Sequence, residues 1–390
     1  MGAPQGRLST GLNQSAASGL DDAIWAALDA TPLFGARTGV GMFTEGVLDA
    51  LARRSDVEPV AYAVTWRGRA EVGQLIPRHA RPARSPMAAR PLRWAWARWN
   101  TPPIELWTGE IDVVHGTNFV VPPARAAGEV VTVHDLTPMR FPELAHPATL
   151  AYEPLIRRAL ARGALVHTPS SFIAAEVVDR FDVSADRVHA VAEGIPPLPD
   201  VAADEQVAGG APYVLTIGTV EPRKDHPLLV RAFDAIAARE PDLHLVIAGS
   251  DAWGAAALTE AIAAARHRDR IVRVGYVDDE ARAGLLNGAR AFAFPSVYEG
   301  FGLPPLEAMR AGVPVVATAA GPLPEVLGDA AVIVPVGDAD ALAAALDEVV
   351  HDDALRARLI AAGRTRAAGY SWDRCADGLV AVYRMAMASR

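Results

Sequence analysis

Two glutamates and two cations carry the strongest chemical signal in this sequence. Glu299 and Glu307 stand with seven residues between them in SVYEGFGLPPLEAMRAGVPVVAT, residues 296–318. The apolar run ARAFAFPS reads as a strand that ends at Ser296. A Gly-bearing loop follows, and Pro304 and Pro305 suit the first turn of a helix, where a missing N–H costs little. Gly312 then ends that helix. Glu299 falls in the loop and Glu307 on the helix's first turns, so both can reach one ligand. A helix N-terminus there offers N–H groups and the positive end of a dipole, which suit phosphate or hydroxyl groups.

The cations are Arg223 and Lys224, in GTVEPRKDH (218–226). Lys224 is the only lysine in the sequence; the other 36 Lys+Arg positions are arginine. The strand PYVLTIG ends at Gly218, and a helix follows near Pro227 with Asp225 as a plausible N-cap. Two cations at a strand end beside a helix N-terminus suit a diphosphate: arginine grips two oxygens, and lysine gives a flexible point charge. Toward the N-terminus, DATPLFGARTGVGMFTEGVLDALAR (29–53) reads as a strand end, a Gly loop and a helix. Gly39 and Gly41 there permit close backbone approach to a ligand. His134-Asp135 follows the strand EVVTV, where a histidine can donate hydrogen bonds or move protons. His115, His167 and His189 read as packing residues. There is no HExxH, no helical histidine pair and no cysteine cluster, so no protein-built metal site is expected. The absence of G-x-S-x-G argues against a serine hydrolase.

These residues need strands and helices to bring them together. Continuous apolar runs at 111–116, 129–136, 164–170, 212–220, 243–250, 270–277, 289–296 and 313–318 read as buried strands. Helical stretches at 149–163, 171–181, 227–240, 280–289, 304–312 and 340–350 separate them. That alternation predicts an α/β chain with parallel sheets covered on both faces. A length of 390 residues exceeds one ordinary core. PPLPDVAADEQVAGGAP (196–212) reads as a linker by composition. The expected layout is a flexible leader over 1–24, an N-terminal Rossmann-like domain over 25–197, a linker over 198–211 and a second Rossmann-like domain over 212–371. The two doubly wound domains face each other across a cleft, with ligands at the carboxyl ends of the strands.

Composition narrows the class. A net charge of −9 argues against wholesale nucleic-acid binding, and the single Cys375 excludes an intramolecular disulfide. No run of about 18 apolar residues is present, and residues 1–24 lack the pattern of a signal peptide; a cytoplasmic protein is the simplest expectation. One stretch is unusual. Between Glu71 and Glu105 no acidic residue occurs, and residues 77–100 hold six arginines and three tryptophans. That pattern fits either contact with an anionic membrane surface through residues 78–99 or an Arg-rich connector packed on its own domain.

Taken together, GTVEPRKDH, GYV, FPSVYEGFGLPPLEAMRAGVPVVAT and GPLPEVLGDAA resemble the retaining glycosyltransferases of family 4, which have the GT-B fold. TGVGMFTEG, VTVHDL, TPSSFIAAEVV and YSWDRCADGLVAVYR extend the resemblance over nearly the whole chain from about residue 27. The bacterial mannosyltransferase-like enzymes of cell-surface polysaccharide assembly are the nearest subgroup. The resemblance implies that Arg223 and Lys224 bind the donor diphosphate and that Glu307 contacts the ribose. Glu299 with the backbone of Gly300, Phe301, Gly302 and Leu303 holds the donor sugar. Gly39 and Gly41 approach the phosphate from the other domain, and His134 hydrogen-bonds the donor sugar near the reacting carbon. It also implies a closing helix, 372–390, that returns to the N-terminal domain, and a nucleotide-sugar co-substrate, GDP-mannose by subgroup, rather than a bound cofactor. The acceptor is a glycan or a lipid-linked hydroxyl. Asp225 departs from the pattern, since Asn is frequent there; an added negative charge near the phosphates would weaken donor binding. Three alternatives stay open at this stage: a sugar-nucleotide epimerase on the same scaffold, a non-catalytic sugar-nucleotide-binding protein, and a pyridoxal-phosphate phosphorylase using Lys224.

Overall fold

The computed structural model describes residues 23–389 apart from 36, 37, 67, 69, 70 and 85, so the leader expected over 1–24 lies, up to residue 22, outside the described residues. Two parallel sheets organise the rest. The first comprises β1 (Ile24–Asp29), β2 (Val57–Tyr62), β3 (Arg81–Pro82), β4 (Val113–Gly116), β5 (Gly128–Thr132), β6 (Leu165–Thr168) and β7 (Val188–Ala190), in the order β3-β2-β1-β4-β5-β6-β7. The second comprises β8 (Tyr213–Ile217), β9 (His244–Ala248), β10 (Ile271–Gly275), β11 (Ala291–Phe294), β12 (Val315–Thr318) and β13 (Ala331–Val334), in the order β10-β9-β8-β11-β12-β13. All the pairings are parallel. Central strands such as β4 and β11 are buried on both faces, which is why they read as unbroken apolar runs rather than alternating ones.

Strand order reverses once in each sheet, between β1 and β4 and between β8 and β11. Such switch points open a crevice at the carboxyl ends of the strands. Sequence reading did not single out β2 or β13, neither of which has a chemical motif at its end. The stretch 149–163 is not one helix. A 3-10 turn occupies Pro147–Ala151, and the α-helix runs Tyr152–Ala161.

The helix Trp372–Ala388 lies on the first sheet, as the family resemblance implies. Its Cys375, Leu379, Val380 and Tyr383 share an apolar cluster with Phe43, Val47 and Leu51. The chain therefore crosses between the halves twice, and the two crossings touch. Ile195 N donates to Tyr370 O at 3.4 Å. A Cβ on Gly194 would lie 2.3 Å from Trp372 N, so that position accepts only glycine while the helix is seated.

The same helix is tied to the sheet by a directional chain of buried polar groups. His167 Nε2–H donates to Val191 O at 3.0 Å, so its Nδ1 must accept from Thr132 Oγ1 at 2.9 Å. Thr132 Oγ1 in turn accepts from His115 Nε2–H at 2.7 Å, and His115 Nδ1 accepts from the Tyr383 hydroxyl at 2.8 Å. Each tautomer follows from its neighbour, and every member must be neutral. Burial accordingly holds His115 far below its ordinary range and His167 down to about 3. The unfolded chain binds the protons that the folded chain refuses. Stability is therefore full above pH ~6.5 and falls toward pH 3, by roughly 1.4 kcal/mol per pH unit for each such histidine. Denaturant unfolding at pH 7 and pH 5 measures this. Tyr383→Phe is expected to lower stability at both pH values by about 1–3 kcal/mol, because His115 Nδ1 loses its donor.

Candidate active site

The two switch points face one another and enclose a cleft with a cavity volume of about 640 Å³. Its C-terminal wall comes from the loops after β8, β9, β10 and β11. Arg223 and Lys224 occupy a short 3-10 turn, Pro222–Lys224. The Glu299 carboxylate lies between them, taking Arg223 Nη1 at 2.9 Å, Lys224 Nζ at 2.6 Å and Ser296 Oγ at 2.6 Å. Burial alone would raise the Glu299 carboxyl, but the two cations override it and hold it down at about 2. Burial, with Arg223 beside it, pushes the Lys224 ammonium below its usual range while Glu299 opposes both. Lys224 Nζ also lies 4.7 Å from the centre of the Phe294 ring, and its side chain is buried. The two cations and Glu299, some 75 residues apart, form one ionic cluster that no spacing motif marks.

Asp225 is the expected N-cap, but its charge lies away from the cleft. Its backbone is left-handed, with φ of 43°, and its carboxylate accepts from Leu228 N at 3.2 Å as the N-cap of the helix His226–Ala237. The residue is absent from the cleft lining. Asp and Asn are the non-glycine residues best suited to this conformation, which explains why either serves. Burial raises the Asp225 carboxyl. Asp225→Asn is expected to leave nucleotide-sugar affinity within about twofold of wild type, whereas Asp225→Ala loses cap and conformation together and costs about 1–2 kcal/mol of stability. Calorimetric titration and thermal unfolding read the two effects.

Gly302, at φ +114°, opens the helix Leu303–Ala311, and Gly312, at φ +79°, closes it. Both are positions that disfavour a Cβ. The helix start is poorer in donors than expected. Pro304 and Pro305 carry no N–H, so of the first three helical residues only Leu303 offers one. Gly300, Phe301, Gly302 and Leu303 all line the cleft, as does Glu307. Glu307, nearly fully buried, pairs with Arg282 at 3.1 Å, and Arg282 reaches Asp279 at 3.2 Å. Glu299 and Glu307 thus belong to two separate ionic clusters along one wall.

The N-terminal wall comes from the loops after β1, β4 and β5. TGVG is not a loop: the helix Gly39–Ala52 begins at Gly39, and Thr38 caps it by accepting from Gly41 N at 3.3 Å. Gly39 lines the cleft; Gly41 does not. Gly41 is buried with its N–H taken by the cap, and a Cβ there would lie 3.1 Å from Pro32 O. The expectation that both glycines approach a ligand is therefore corrected for Gly41.

His134 is buried at the floor of this wall. Its Nε2 donates to Thr117 O at 2.8 Å, and its Nδ1 faces Glu193 Oε1 at 3.3 Å. Sequence reading missed Glu193 and Arg282. Glu193 precedes Gly194 and Pro196 at the edge of the stretch that reads as a linker, and only the sheet topology brings it beside a residue 59 positions away.

The walls are clasped together. Ser171 N and Phe172 N, at the start of the helix Ser171–Phe181, donate to the Glu325 carboxylate of the other half, each at 3.0 Å. Ser170 Oγ donates to Gly300 O at 3.1 Å, and Leu136 N donates to the Tyr298 hydroxyl at 3.1 Å. A Cβ on Gly300 would lie 2.0 Å from His134 O, so only a glycine allows this approach.

The domain described as Glycosyltransferase Family 4 matches residues 37–197, and the one described as Glycosyl transferases group 1 matches residues 200–366. O-antigen chain mannosyltransferase B of Escherichia coli is 33% identical over 284 residues, which cover 70% of this chain and 74% of that protein. D-inositol 3-phosphate glycosyltransferase of Salinispora arenicola is 31% identical over 243 residues, 55% of this chain and 53% of that protein. Among solved structures, HepE of Anabaena, in complex with UDP and glucose, superposes with a TM-score of 0.72 at 17% identity, covering 93% of this chain and all of that one. WaaG, a glycosyltransferase involved in lipopolysaccharide biosynthesis, superposes with a TM-score of 0.69 at 16% identity, covering 92% and 99%. A family domain on each side of the cleft, the two facing Rossmann-like sheets and these relatives agree: the chain belongs to the family 4 glycosyltransferases of the GT-B fold, and within them it is mannosyltransferase-like.

Proposed function

We propose that the protein is a retaining, metal-independent mannosyltransferase that moves mannose from GDP-mannose to a hydroxyl of a glycan or lipid-linked acceptor in cell-surface polysaccharide or glycolipid synthesis. One observation carries the reading: two cations, the partly buried Arg223 and the buried Lys224, converge at the β8–β11 switch point and share one carboxylate, Glu299. A donor diphosphate would take over the two cations, which neutralise the charge that builds on the leaving group as the anomeric carbon becomes cation-like. Their fixed positive charge is what makes a bound divalent ion unnecessary in this reading. Glu307 holds the ribose, and Glu299 with residues 300–303 holds the sugar. Gly39 adds backbone contact from the facing wall, and the His134 side positions the sugar near the reacting carbon.

Glu299 is a poor covalent nucleophile, because its oxygens are already committed to three donors and its carboxyl is held at about 2. A front-side route fits better. In it the acceptor hydroxyl enters on the face that the diphosphate leaves and gives its proton to the departing phosphate. Guanine is the favoured base because the Asp279 carboxylate lines the cleft beside Tyr276 and Val277. Guanine offers it an N1–H and an exocyclic amine on one edge.

No described helix is long and apolar enough to cross a membrane. Within residues 78–99, Trp96 is buried and donates Nε1 to Pro102 O at 3.0 Å, but Trp94 and Trp99 are each 51% exposed. They stand edge to face, with Arg98 over Trp94. This outward arginine–tryptophan face supports peripheral contact with an anionic membrane on its cytoplasmic side.

Calorimetric titration with GDP-mannose, GDP, UDP-glucose and UDP tests the donor. NMR of the product formed from GDP-mannose tests the anomer. Tightest binding of GDP-mannose and an α-linked product support the reading; a β-linked product, or the absence of binding by all four, overturns it. Nucleotide release that does not depend on acceptor would favour the epimerase alternative.

A further inference from the structure

Tyr298 belongs to both halves at once. It directly precedes Glu299 in the loop after β11, and its backbone is part of the C-terminal wall. Its carbonyl accepts from Arg223 Nη1 at 3.3 Å, and the neighbouring Val297 N donates to Arg223 O at 2.7 Å. Its side chain lies in the other half. Only 3% exposed, the ring packs in the apolar cluster of the N-terminal half, whose other buried members run from Ala27 to Val188. Phe141 meets it with centroids 5.3 Å apart at 53°, and the Arg140 guanidinium lies 5.7 Å from its centre.

The hydroxyl completes the socket. It accepts from Leu136 N at 3.1 Å and donates to the carboxylate of Glu176, which also holds Arg140. The phenol thus uses its one proton and an acceptor site together. Glu176 stands on the helix Ser171–Phe181. Neither it nor Tyr298, Leu136, Arg140 or Phe141 lines the cleft, so contact with a ligand does not account for the arrangement.

Seating the ring fixes the loop that carries Glu299 and the carbonyl that holds Arg223. If the halves part, the ring must leave an apolar pocket and the hydroxyl must give up two partners, one of them charged; both costs oppose opening. From a backbone on one wall and a side chain socketed in the other, we infer that Tyr298 is a positioning residue. It acts through Glu299 and Arg223, whose arrangement for the departing diphosphate is complete only while the halves are closed. The inference rests on the transferase reading proposed above and adds to it a link between closure and the placement of charge.

The test compares the full chain with Tyr298→Phe, which keeps the ring, and with Glu176→Ala, which alters only the opposite half. Hydrogen exchange without nucleotide reads the loop through peptides covering residues 296–303. Both variants should exchange about tenfold faster there. With GDP-mannose as donor and methyl α-D-mannoside as acceptor, both should lower kcat about tenfold and leave the donor KM within about twofold. The double variant should be no slower than the worse single one, because both remove the same bond. Tyr298→Ala empties the socket and should cost more in both readouts. Loop exchange and kcat at wild-type values in Tyr298→Phe overturn the inference. So does a lower melting temperature with unchanged loop exchange, the mark of a merely structural contact, and so do losses that multiply in the double variant. A wild type without turnover faults the transferase reading or this acceptor; the exchange comparison needs neither and decides the link by itself.

Discussion

Lys224→Ala is expected to weaken GDP-mannose binding about 100-fold and to lower kcat/KM by about a further 10²–10³, the scale of losing one pre-positioned charge at a developing anion. Removal of the ammonium leaves Glu299 with Arg223 and Ser296 as partners, and the space over Phe294 opens. Lys224→Arg separates charge from shape. Arginine keeps the charge, but the surroundings leave it little room. Phe294 lies 4.7 Å below Nζ, Glu299 sits 2.6 Å in front, and the lysine stem passes Gly218, where a Cβ would meet its Cε at 3.7 Å. A guanidinium is wider than an ammonium and overpacks that slot, at about 1–3 kcal/mol of stability. Calorimetric titration should rank wild type above Arg above Ala, with the arginine variant also melting lower. Equal donor affinity in wild type and Lys224→Ala would sink the assigned role.

Gly300→Ala is the second large effect. Its new methyl would lie 2.0 Å from the carbonyl oxygen of His134. Both sides of that contact are backbone, so neither side can step aside as a side chain would. The halves must separate, and with them the clasp made by Ser170 and Glu325 across the gap. Turnover is expected to fall about 100-fold, the cost of roughly 1 Å of misplacement at the reacting centre. GDP affinity should change much less, since most of the donor-side groups stay on one wall. Small-angle scattering of the GDP-bound variant should show a larger radius of gyration than GDP-bound wild type. An unchanged radius with unchanged kcat would show that the approach of Gly300 to His134 plays no part in turnover.

The sequence disclosed the architecture because its strands are continuous apolar runs and its site residues follow them immediately. Glycine and proline marked the helix Leu303–Ala311 to within one residue at each end. The failures have equally physical causes. Gly41 looked like Gly39 because both stand in the first turn of one helix; only the cap from Thr38, which takes the Gly41 N–H, and the side of the helix that lines the cleft tell them apart. The cap at Asp225 was legible, but the left-handed backbone that turns its charge away from the cleft leaves no mark in the sequence. Glu193 and Arg282 escaped because their partners, His134 and Glu307, are neighbours through topology rather than sequence spacing. The His115–Thr132–His167 chain was read as packing, and its members are buried, but its direction emerges only from hydrogen bonds.

The two adjacent crossings between the halves have a mechanical consequence. A pair of bodies joined by one strand can swivel and twist freely. Here the segments around Gly194 and Trp372 lie side by side and are bonded to each other, so they act as the knuckle of a door. Relative motion is reduced to rotation about nearly one axis, and the clasp at Glu325 is the bolt. A fluorophore at residue 389 would ride with the frame that also carries residue 23. A distance measured between those two points would be silent however wide the door swung, and a probe pair meant to watch it must span residues 171 and 325.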